Sequence, residues 1–300
     1  MEITKCTLLR PIYQIIYTAR MVKDKLVKPY LKWAGGKRQL ADTIRSFCPD
    51  RFSKYYEPFV GAGAILFDLQ PKHAVINDLN EQLYYTYLAV RDNVEELITL
   101  LEQHQKKNTK DYYYEIRALD RTEEFNSLSI VEKAARLIYL NKTCYNGLYR
   151  VNSQGLFNTP YGRYVNPAIC EREVLRHINR YFKNNDLTIL NGDFEIAVST
   201  AKKGDFVYFD PPYDSPNCTN FTGYQAGGFD HDEQTRLRDC MVDLTKKGVR
   251  CLLSNASTDF INRIYREIPE FTIEYVEAKR PINSDSNGRG NVTEVLVRNW

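Results

Sequence analysis

The chain predicts an α/β fold built on an open sheet, and three stretches predict it. Tyr55-Tyr56-Glu57 runs through Pro58-Phe59-Val60 into a glycine-rich turn, Gly61-Ala62-Gly63, and then a helical run from Ala64 to Leu69. His73 to Asn77 is a second strand-like run, ending at Asp78. Asp205 to Phe209 is another, ending at Asp210-Pro211-Pro212-Tyr213. Open α/β sheets place their chemistry at the carboxyl ends of such strands.

Each element has its own justification. Gly61 and Gly63 let the backbone approach a ligand closely, and the helix N-terminus behind them favours polar or anionic groups. Position 66 is Leu, so the third glycine of a dinucleotide fingerprint is missing and pyrophosphate binding is disfavoured. Asp78, at the tip of the second strand, is placed to accept from ribose hydroxyls; helix capping before Asn80 is its alternative role. Together these two features describe an adenosine-type cofactor site. Upstream, Lys32-Trp33-Ala34-Gly35-Gly36-Lys37 is no nucleotide-triphosphate loop, because position 31 is Leu and position 38 is Arg. A Trp beside two glycines and two lysines can instead close over a cofactor that carries a carboxylate.

Helical periodicity runs from Glu81 to Arg91, Val94 to Gln105, Asp111 to Leu119 and Ile130 to Lys142. Asn146-Gly147 and Ser153-Gln154-Gly155 are turn signals, so a hairpin or irregular loop follows the last of these helices. Strands are expected at Leu187 to Leu190, Phe206 to Phe209 and Val249 to Leu253, the last ending at Ser254-Asn255. A helix fills Asp230 to Lys247. Thr272 to Glu277 and Val292 to Val297 complete the sheet. The stretch between Gly63 and Asp210 is far longer than two or three βα units need, and the excess reads as an inserted domain.

Asp210-Pro211-Pro212-Tyr213 carries the chemistry. Prolines fix φ and lack an N–H, so their carbonyls can face outward as acceptors. Asp210 adds another acceptor, and the Tyr213 ring offers a face for a flat heterocycle. Two acceptors beside a stacking face suit the exocyclic amino group of a base; the bland alternative is a turn that simply ends a strand.

At 300 residues and 43% hydrophobic composition, the chain can fill one large domain plus a smaller insert. A net charge of +3 does not announce nucleic acid; its distribution says more. No acidic residue lies between Ile138 and Cys170, a window with Lys142, Arg150 and Arg163 amid aromatics and asparagines. Such interleaving suits phosphate contact, stacking and base-edge reading, with a plain polar surface hairpin as the alternative. The seven cysteines are never spaced Cys-x-x-Cys and read as thiols in a reducing compartment. The four histidines lack paired ligand spacing, so no metal is expected. No apolar stretch approaches membrane-spanning length. Glu2, Arg10 and Pro11 spoil a signal peptide, and residues 1–28 read as an extension with Met21 as an alternative start.

The order Lys32 to Lys37, then Glu57-Pro58-Phe59-Val60-Gly61-Ala62-Gly63, then Asp210-Pro211-Pro212-Tyr213 resembles the Dam-type DNA adenine methyltransferases. Tyr145-Asn146-Gly147-Leu148-Tyr149-Arg150-Val151-Asn152, followed by Phe157 to Tyr164, looks like the target-recognition hairpin of that family. The Leu-Tyr-Arg-Val-Asn-Ser wording is more like its restriction-system members than the enterobacterial enzymes. The resemblance covers Pro29 to Val297 and implies a Rossmann-like class I methyltransferase sheet with an inserted, mainly helical target-recognition domain. The catalytic domain would be residues 29–80 and 186–300, and the insert residues 81–185.

The implied reaction moves a methyl group from S-adenosyl-L-methionine to the exocyclic amine of adenine in duplex DNA, leaving S-adenosyl-L-homocysteine. The adenine leaves the stack to reach the site. By resemblance Trp33, Lys37, Phe59, Gly61, Gly63, Asp78, Asp193, Phe194 and Asp210 bind the cofactor. Asp210, Pro211, Pro212 and Tyr213 form the catalytic set. Tyr145 and Asn146 fill or support the gap left by the base, while Leu148, Arg150, Pro160 and Tyr164 read the site, with Lys32 and Arg163 also on DNA. The family's usual target is GATC, and Arg150 occupies the guanine-reading position. Tyr149 stands where the enterobacterial pattern has Cys, and Val165 where it has Lys, which bears on flanking phosphate contacts. A cytoplasmic location follows, along with a cognate restriction endonuclease acting on the same site without being bound.

Two other classes share part of this pattern. Guanine-amine RNA methyltransferases carry Asp-Pro-Pro-Tyr but lack the long insert. A DNA-binding module that lost catalysis would show a broken Asp-Pro-Pro-Tyr or cofactor glycine, and neither is broken here.

Overall fold

A computed structural model describes residues 23–33, 37, 40–215, 228–279 and 291–300. The motifs named above fall inside these ranges except for Ala34 to Gly36, Arg38 and residues 1–22, including Met21, which lie outside the described residues.

Seven strands form one sheet: β1 (Tyr55–Glu57), β2 (His73–Asn77), β3 (Asp186–Leu190), β4 (Phe206–Phe209), β5 (Arg250–Ala256), β6 (Thr272–Lys279) and β7 (Asn291–Arg298). Their order is β3-β2-β1-β4-β5-β7-β6. The first five run parallel, and β7 is antiparallel to both β5 and β6. The sheet is the open, Rossmann-like one that the resemblance implies. The order reverses between β1 and β4, and their carboxyl ends open the crevice in which such sheets bind ligands.

The two faces of the sheet separate by the period-2 rule. Tyr55, Ala74, Ile76, Phe206, Tyr208, Leu252 and Leu296 join one core. Their neighbours Tyr56, Val75, Val207, Phe209, Cys251, Leu253 and Val295 join the other. The first core is covered by helices α1 (Ala41–Phe47) and α2 (Ala64–Leu69), then by α3 (Glu81–Asp92), α4 (Val94–Lys107), α5 (Lys110–Ala118), α7 (Ile130–Thr143) and α8 (Arg172–Asn184), while the short α6 (Glu124–Ser127) buries no residue. The second is covered by α9 (Phe194–Val198), α10 (His231–Lys246) and α11 (Asp259–Arg266).

The helices start where side chains satisfy their orphan N–H groups. Asn80 caps α3, and Ser129 with Glu132 forms a capping box at α7. The cap at α3 is therefore Asn80 and not Asp78, which removes the capping alternative for that carboxylate. Strand β5 continues through Ser254 and Asn255 to Ala256, longer than the sequence expectation, because β7 pairs along it as far as Glu294. Helix α8 has no counterpart in the expectation; Val174, Leu175, Ile178, Tyr181 and Phe182 form its buried face.

Candidate active site

The crevice is assembled from the loops that follow β1, β2, β3 and β4. After β1 the chain turns through Gly61 (φ 50°) and Gly63 (φ 73°), left-handed conformations that favour glycine. A Cβ on Gly61 would sit 3.2 Å from the Trp33 ring, and one on Gly63 would sit 2.9 Å from both Phe67 and the Tyr87 hydroxyl. The Tyr87 hydroxyl donates to the Gly61 carbonyl at 2.8 Å. Buried Asn77 ties two loops together, donating at 2.9 Å to the carbonyls of Pro58 and Gly192.

Asp78 accepts from the Gly61 N–H at 3.0 Å and from the Asn80 N–H at 2.9 Å. Burial pushes its pKa from 3.8 up to about 6, against the pull of those two N–H bonds. Beside it Leu79 leaves 54% of its surface exposed, an apolar lip that no sequence motif marked. After β3, Asp193 caps α9 by accepting from the Glu195 N–H and forms an ion pair with Arg236. The Arg236 guanidinium lies 4.3 Å from the centre of the Phe194 ring. Phe59, Phe194 and Phe229 pack as an aromatic trio, with Phe59 and Phe194 centroids 5.4 Å apart. Neither Phe229 nor Arg236 carries a local sequence signal; both arrive from beyond the catalytic motif.

At the end of β4, Asp210 forms an ion pair with the buried Lys37 at 2.8 Å. Ser254, on β5, donates to the same Asp210 oxygen at 3.1 Å and lies 2.9 Å from the Tyr208 hydroxyl. Burial raises the Asp210 pKa, while Lys37 and Ser254 hold it down. Gln234 donates to the Pro212 carbonyl at 2.9 Å and is itself held by Asn255 at 3.0 Å. Tyr213 lies with Lys37 Nζ 4.3 Å from its ring centre, and its hydroxyl donates to Glu294 at 2.7 Å. Asp210, Tyr213 and Lys37 are thus brought together. Ser254 and Asn255 had a signal, since they close a strand; Gln234 and Glu294 had none.

The segment from Tyr145 to Tyr164 is an irregular loop with two antiparallel bridges, Cys144 to Tyr161 and Val151 to Phe157. Asn146 (φ 56°) and Gly147 (φ 64°) make its tight turn. Tyr145, Asn146, Arg150, Pro160 and Arg163 are exposed, and Leu148 and Tyr164 are half-buried. Arg150 Nε donates to Asn158 at 2.8 Å. Lys32 Nζ lies 4.7 Å from the Tyr164 ring centre, and Asn141 brackets the Lys32 backbone, accepting from its N–H at 2.9 Å and donating to its carbonyl at 2.6 Å. All eight expected DNA-contacting residues therefore gather on or against one loop. Trp33 joins this loop to the crevice: it stacks on Tyr149 at 5.0 Å and packs against Gly61.

Among the described residues no group of His, Cys, Asp and Glu is arranged to hold a metal ion. No helix among them is long and apolar enough to cross a membrane.

A Rossmann-like sheet whose β4 ends in an acid, two prolines and a tyrosine defines an amine-directed methyltransferase. The sequence matches the D12 class of N6 adenine-specific DNA methyltransferases over residues 33–282, and the chain belongs to that family. A type II methyltransferase of Lactococcus lactis subsp. cremoris, M1.LlaDCHI, is 45% identical over 280 residues, spanning 93% of this chain and 98% of its own. The type II methyltransferase M.MjaIII of Methanocaldococcus jannaschii is 41% identical over 293 residues, spanning 91% and 99%. A DNA adenine methylase of Haemophilus influenzae is 34% identical over 286 residues, spanning 92% and 95%. The protein is an adenine-specific DNA methyltransferase.

Proposed function

We propose that the chain transfers a methyl group from S-adenosyl-L-methionine to N6 of adenine within GATC in duplex DNA. The observation that carries this reading is the convergence of Asp210, the Tyr213 ring and Lys37 beside the Gly61–Asp78 crevice. The crevice suits the cofactor: a backbone turn on which a Cβ would crowd Trp33, a carboxylate at the strand tip, and aromatic and apolar walls at Phe59, Phe194 and Leu79. When bound there, S-adenosyl-L-methionine supplies an electrophilic methyl carbon on its sulfonium.

The remaining task is alignment, which alone can supply much of the barrier reduction. An adenine amine is a poor nucleophile because its lone pair is delocalised into the ring. Asp210 and the Pro211 carbonyl accept hydrogen bonds from its two N–H groups and favour a pyramidal nitrogen; as the nitrogen takes the methyl group the S–CH3 bond breaks, and the methylated amine then sheds one proton to solvent. Gln234 occupies the Pro212 carbonyl, which leaves the Pro211 carbonyl that role. The flipped ring stacks on Tyr213. Lys37 must give up its bond to Asp210, or share the carboxylate, as the amine arrives.

Residues 29–80 and 186–300 form the catalytic domain in this reading, and residues 81–185 form the insert that presents the recognition loop. Arg150 reads guanine, with its Nε held by Asn158 and its two terminal nitrogens as the donors to the base. Tyr145 and Asn146 fill the space left by the base. The type II names of the relatives support pairing with a restriction endonuclease that acts on the same sequence. The test is transfer of tritium from methyl-labelled donor to plasmid, followed by nucleases that differ in sensitivity to GATC methylation. Label uptake with protection at GATC is expected; label uptake without that protection would assign another target sequence.

A further inference from the structure

Tyr213 poses a question of its own, because a phenylalanine would stack on a base equally well. Its hydroxyl donates to Glu294 at 2.7 Å and also lies against Ser254. Glu294 is only 6% exposed and sits on β7, where it pairs with Ala256 of β5 on one side and Val276 of β6 on the other. A buried carboxylate is costly unless it is hydrogen-bonded, and the Tyr213 hydroxyl is such a partner. The backbone before Tyr213 is already stiffened by two prolines. What remains free in a tyrosine is rotation of its side chain, and a bond from the far end of the ring to the sheet removes it.

We propose that Glu294 is a positioning residue for the methyl-transfer step: through the Tyr213 hydroxyl it fixes the ring plane on which the target adenine stacks. Glu294 touches neither Asp210 nor the base, and it acts by holding Tyr213 in register with the acceptors at the end of β4. The proposal rests on the reading that Tyr213 stacks on the extruded base. Its antiparallel strand has no other part in the chemistry described above, so β7 gains a functional role through this one residue.

The test compares Glu294→Ala, Glu294→Gln, Tyr213→Phe, Tyr213→Ala and the double variant Glu294→Ala/Tyr213→Phe in single-turnover methylation of a duplex substrate. A second duplex carries 2-aminopurine at the target position, whose emission falls when it stacks on an aromatic ring. Glu294→Ala and Tyr213→Phe should each slow single turnover by about tenfold, and the double variant should be no slower than Tyr213→Phe, since Glu294 acts only through that hydroxyl. Glu294→Gln keeps an acceptor and should recover most of the loss. Emission should rise in both single variants while cofactor affinity stays unchanged. If Glu294→Ala does not fold, Tyr213→Phe and Glu294→Gln carry the same comparison from the other side of the bond. Independent, multiplicative slowing in the double variant, or a wild-type rate in Tyr213→Phe, would overturn the role of Glu294. If Tyr213→Ala also leaves rate and emission unchanged, the stacking reading itself is wrong.

Discussion

The crevice at the strand ends and the recognition loop are held in place by different means. In the crevice, the sheet itself fixes the reactive groups: Asp78, Asp193 and Asp210 follow β2, β3 and β4 within a few residues. The loop from Tyr145 to Tyr164 belongs to no sheet; it has two isolated bridges and a few main-chain bonds of its own, such as Tyr145 N–H to the Pro160 carbonyl at 2.8 Å and Asn158 N–H to the Arg150 carbonyl at 3.0 Å. It is pinned to the rest of the insert by side chains from α5 and the short turn after it. Asp120 accepts from the Phe157 N–H at 2.8 Å, and Arg121 donates to the Phe157 carbonyl at 2.7 Å. Asp120 is also paired with Arg136 at 2.9 Å, both side chains being almost wholly buried. Tyr113 donates to the Thr159 carbonyl at 2.8 Å. The groups proposed for the chemistry thus rest on the sheet's main-chain order, whereas the loop proposed to read the bases depends also on a few side-chain clasps that can be broken one at a time.

The largest effect should come from the crevice. Asp210→Ala should slow turnover by about 10²–10³-fold, the cost of removing one preorganised hydrogen-bonding group from a reacting centre. Cofactor affinity should fall far less than turnover, because the main role proposed for Asp210 is the contact with the amine. Near-normal single-turnover methylation would remove Asp210 from the chemistry.

Next is the clasp. Asp120→Ala leaves Arg136 buried without its carboxylate, and breaking a buried pair costs about 3–5 kcal/mol. The low end is expected, since Arg136 keeps bonds to the Ile116 carbonyl at 2.9 Å and the Arg117 carbonyl at 2.8 Å. Denaturant unfolding should show this loss, and discrimination between GATC and altered sites should fall more than cofactor affinity does. Equal loss of both would mean that the two regions do not differ in the way described.

Asp78→Ala should weaken the cofactor by about 1–3 kcal/mol, the penalty for leaving buried hydroxyls unpaired. Its ionisation adds a pH signature. Asp78 keeps its proton in the folded protein up to about pH 6, against 3.8 for the ordinary group. The fold therefore binds more protons than the unfolded chain in that window, and the Asp78 contribution to stability is lost as pH rises from about 4 to 6. Cofactor affinity should move the other way, rising through pH 6 as the carboxylate forms, and Asp78→Asn should flatten that rise in calorimetry.

Arg150→Ala should be the most selective change, costing about 1–3 kcal/mol of discrimination at its guanine with little effect on stability. Competition between cognate duplexes and duplexes altered at that guanine, at fixed salt, checks it. Uniform weakening on every sequence would make Arg150 a phosphate contact and shift the reading role toward Arg163.

The same contrast explains what the sequence could disclose. Strand ends announce themselves locally: Gly61, Gly63, Asp78 and Asp210 lie beside the runs that position them, and the sheet put them where those runs implied. Partners that arrive from elsewhere in the chain left no local mark. Glu294 reaches Tyr213 only because β7 pairs with β5 and extends that strand. Arg236 reaches Asp193 from α10, and Asp120 reaches Phe157 from a short turn after α5. Helix α8 was hidden differently: its apolar positions recur at helical spacing, but Arg172, Glu173, Arg176, His177, Arg180 and Lys183 crowd the segment with charge. Arg136 shows the converse, a charge on an apolar face that is buried because Asp120 and two carbonyls meet it.

The central claim is that the Asp210 edge methylates the amine of an adenine chosen by the loop. Its most direct test is to incubate the purified protein with duplex DNA and S-adenosyl-L-methionine, digest the product to nucleosides, and identify the methylated base by mass spectrometry. The account predicts N6-methyldeoxyadenosine, formed on GATC-containing duplexes, at an initial rate about 10²–10³-fold lower with Asp210→Ala and strongly reduced when the GATC adenine is replaced. Methyl groups found instead on the amine of cytosine, or on RNA and not on DNA, would contradict it.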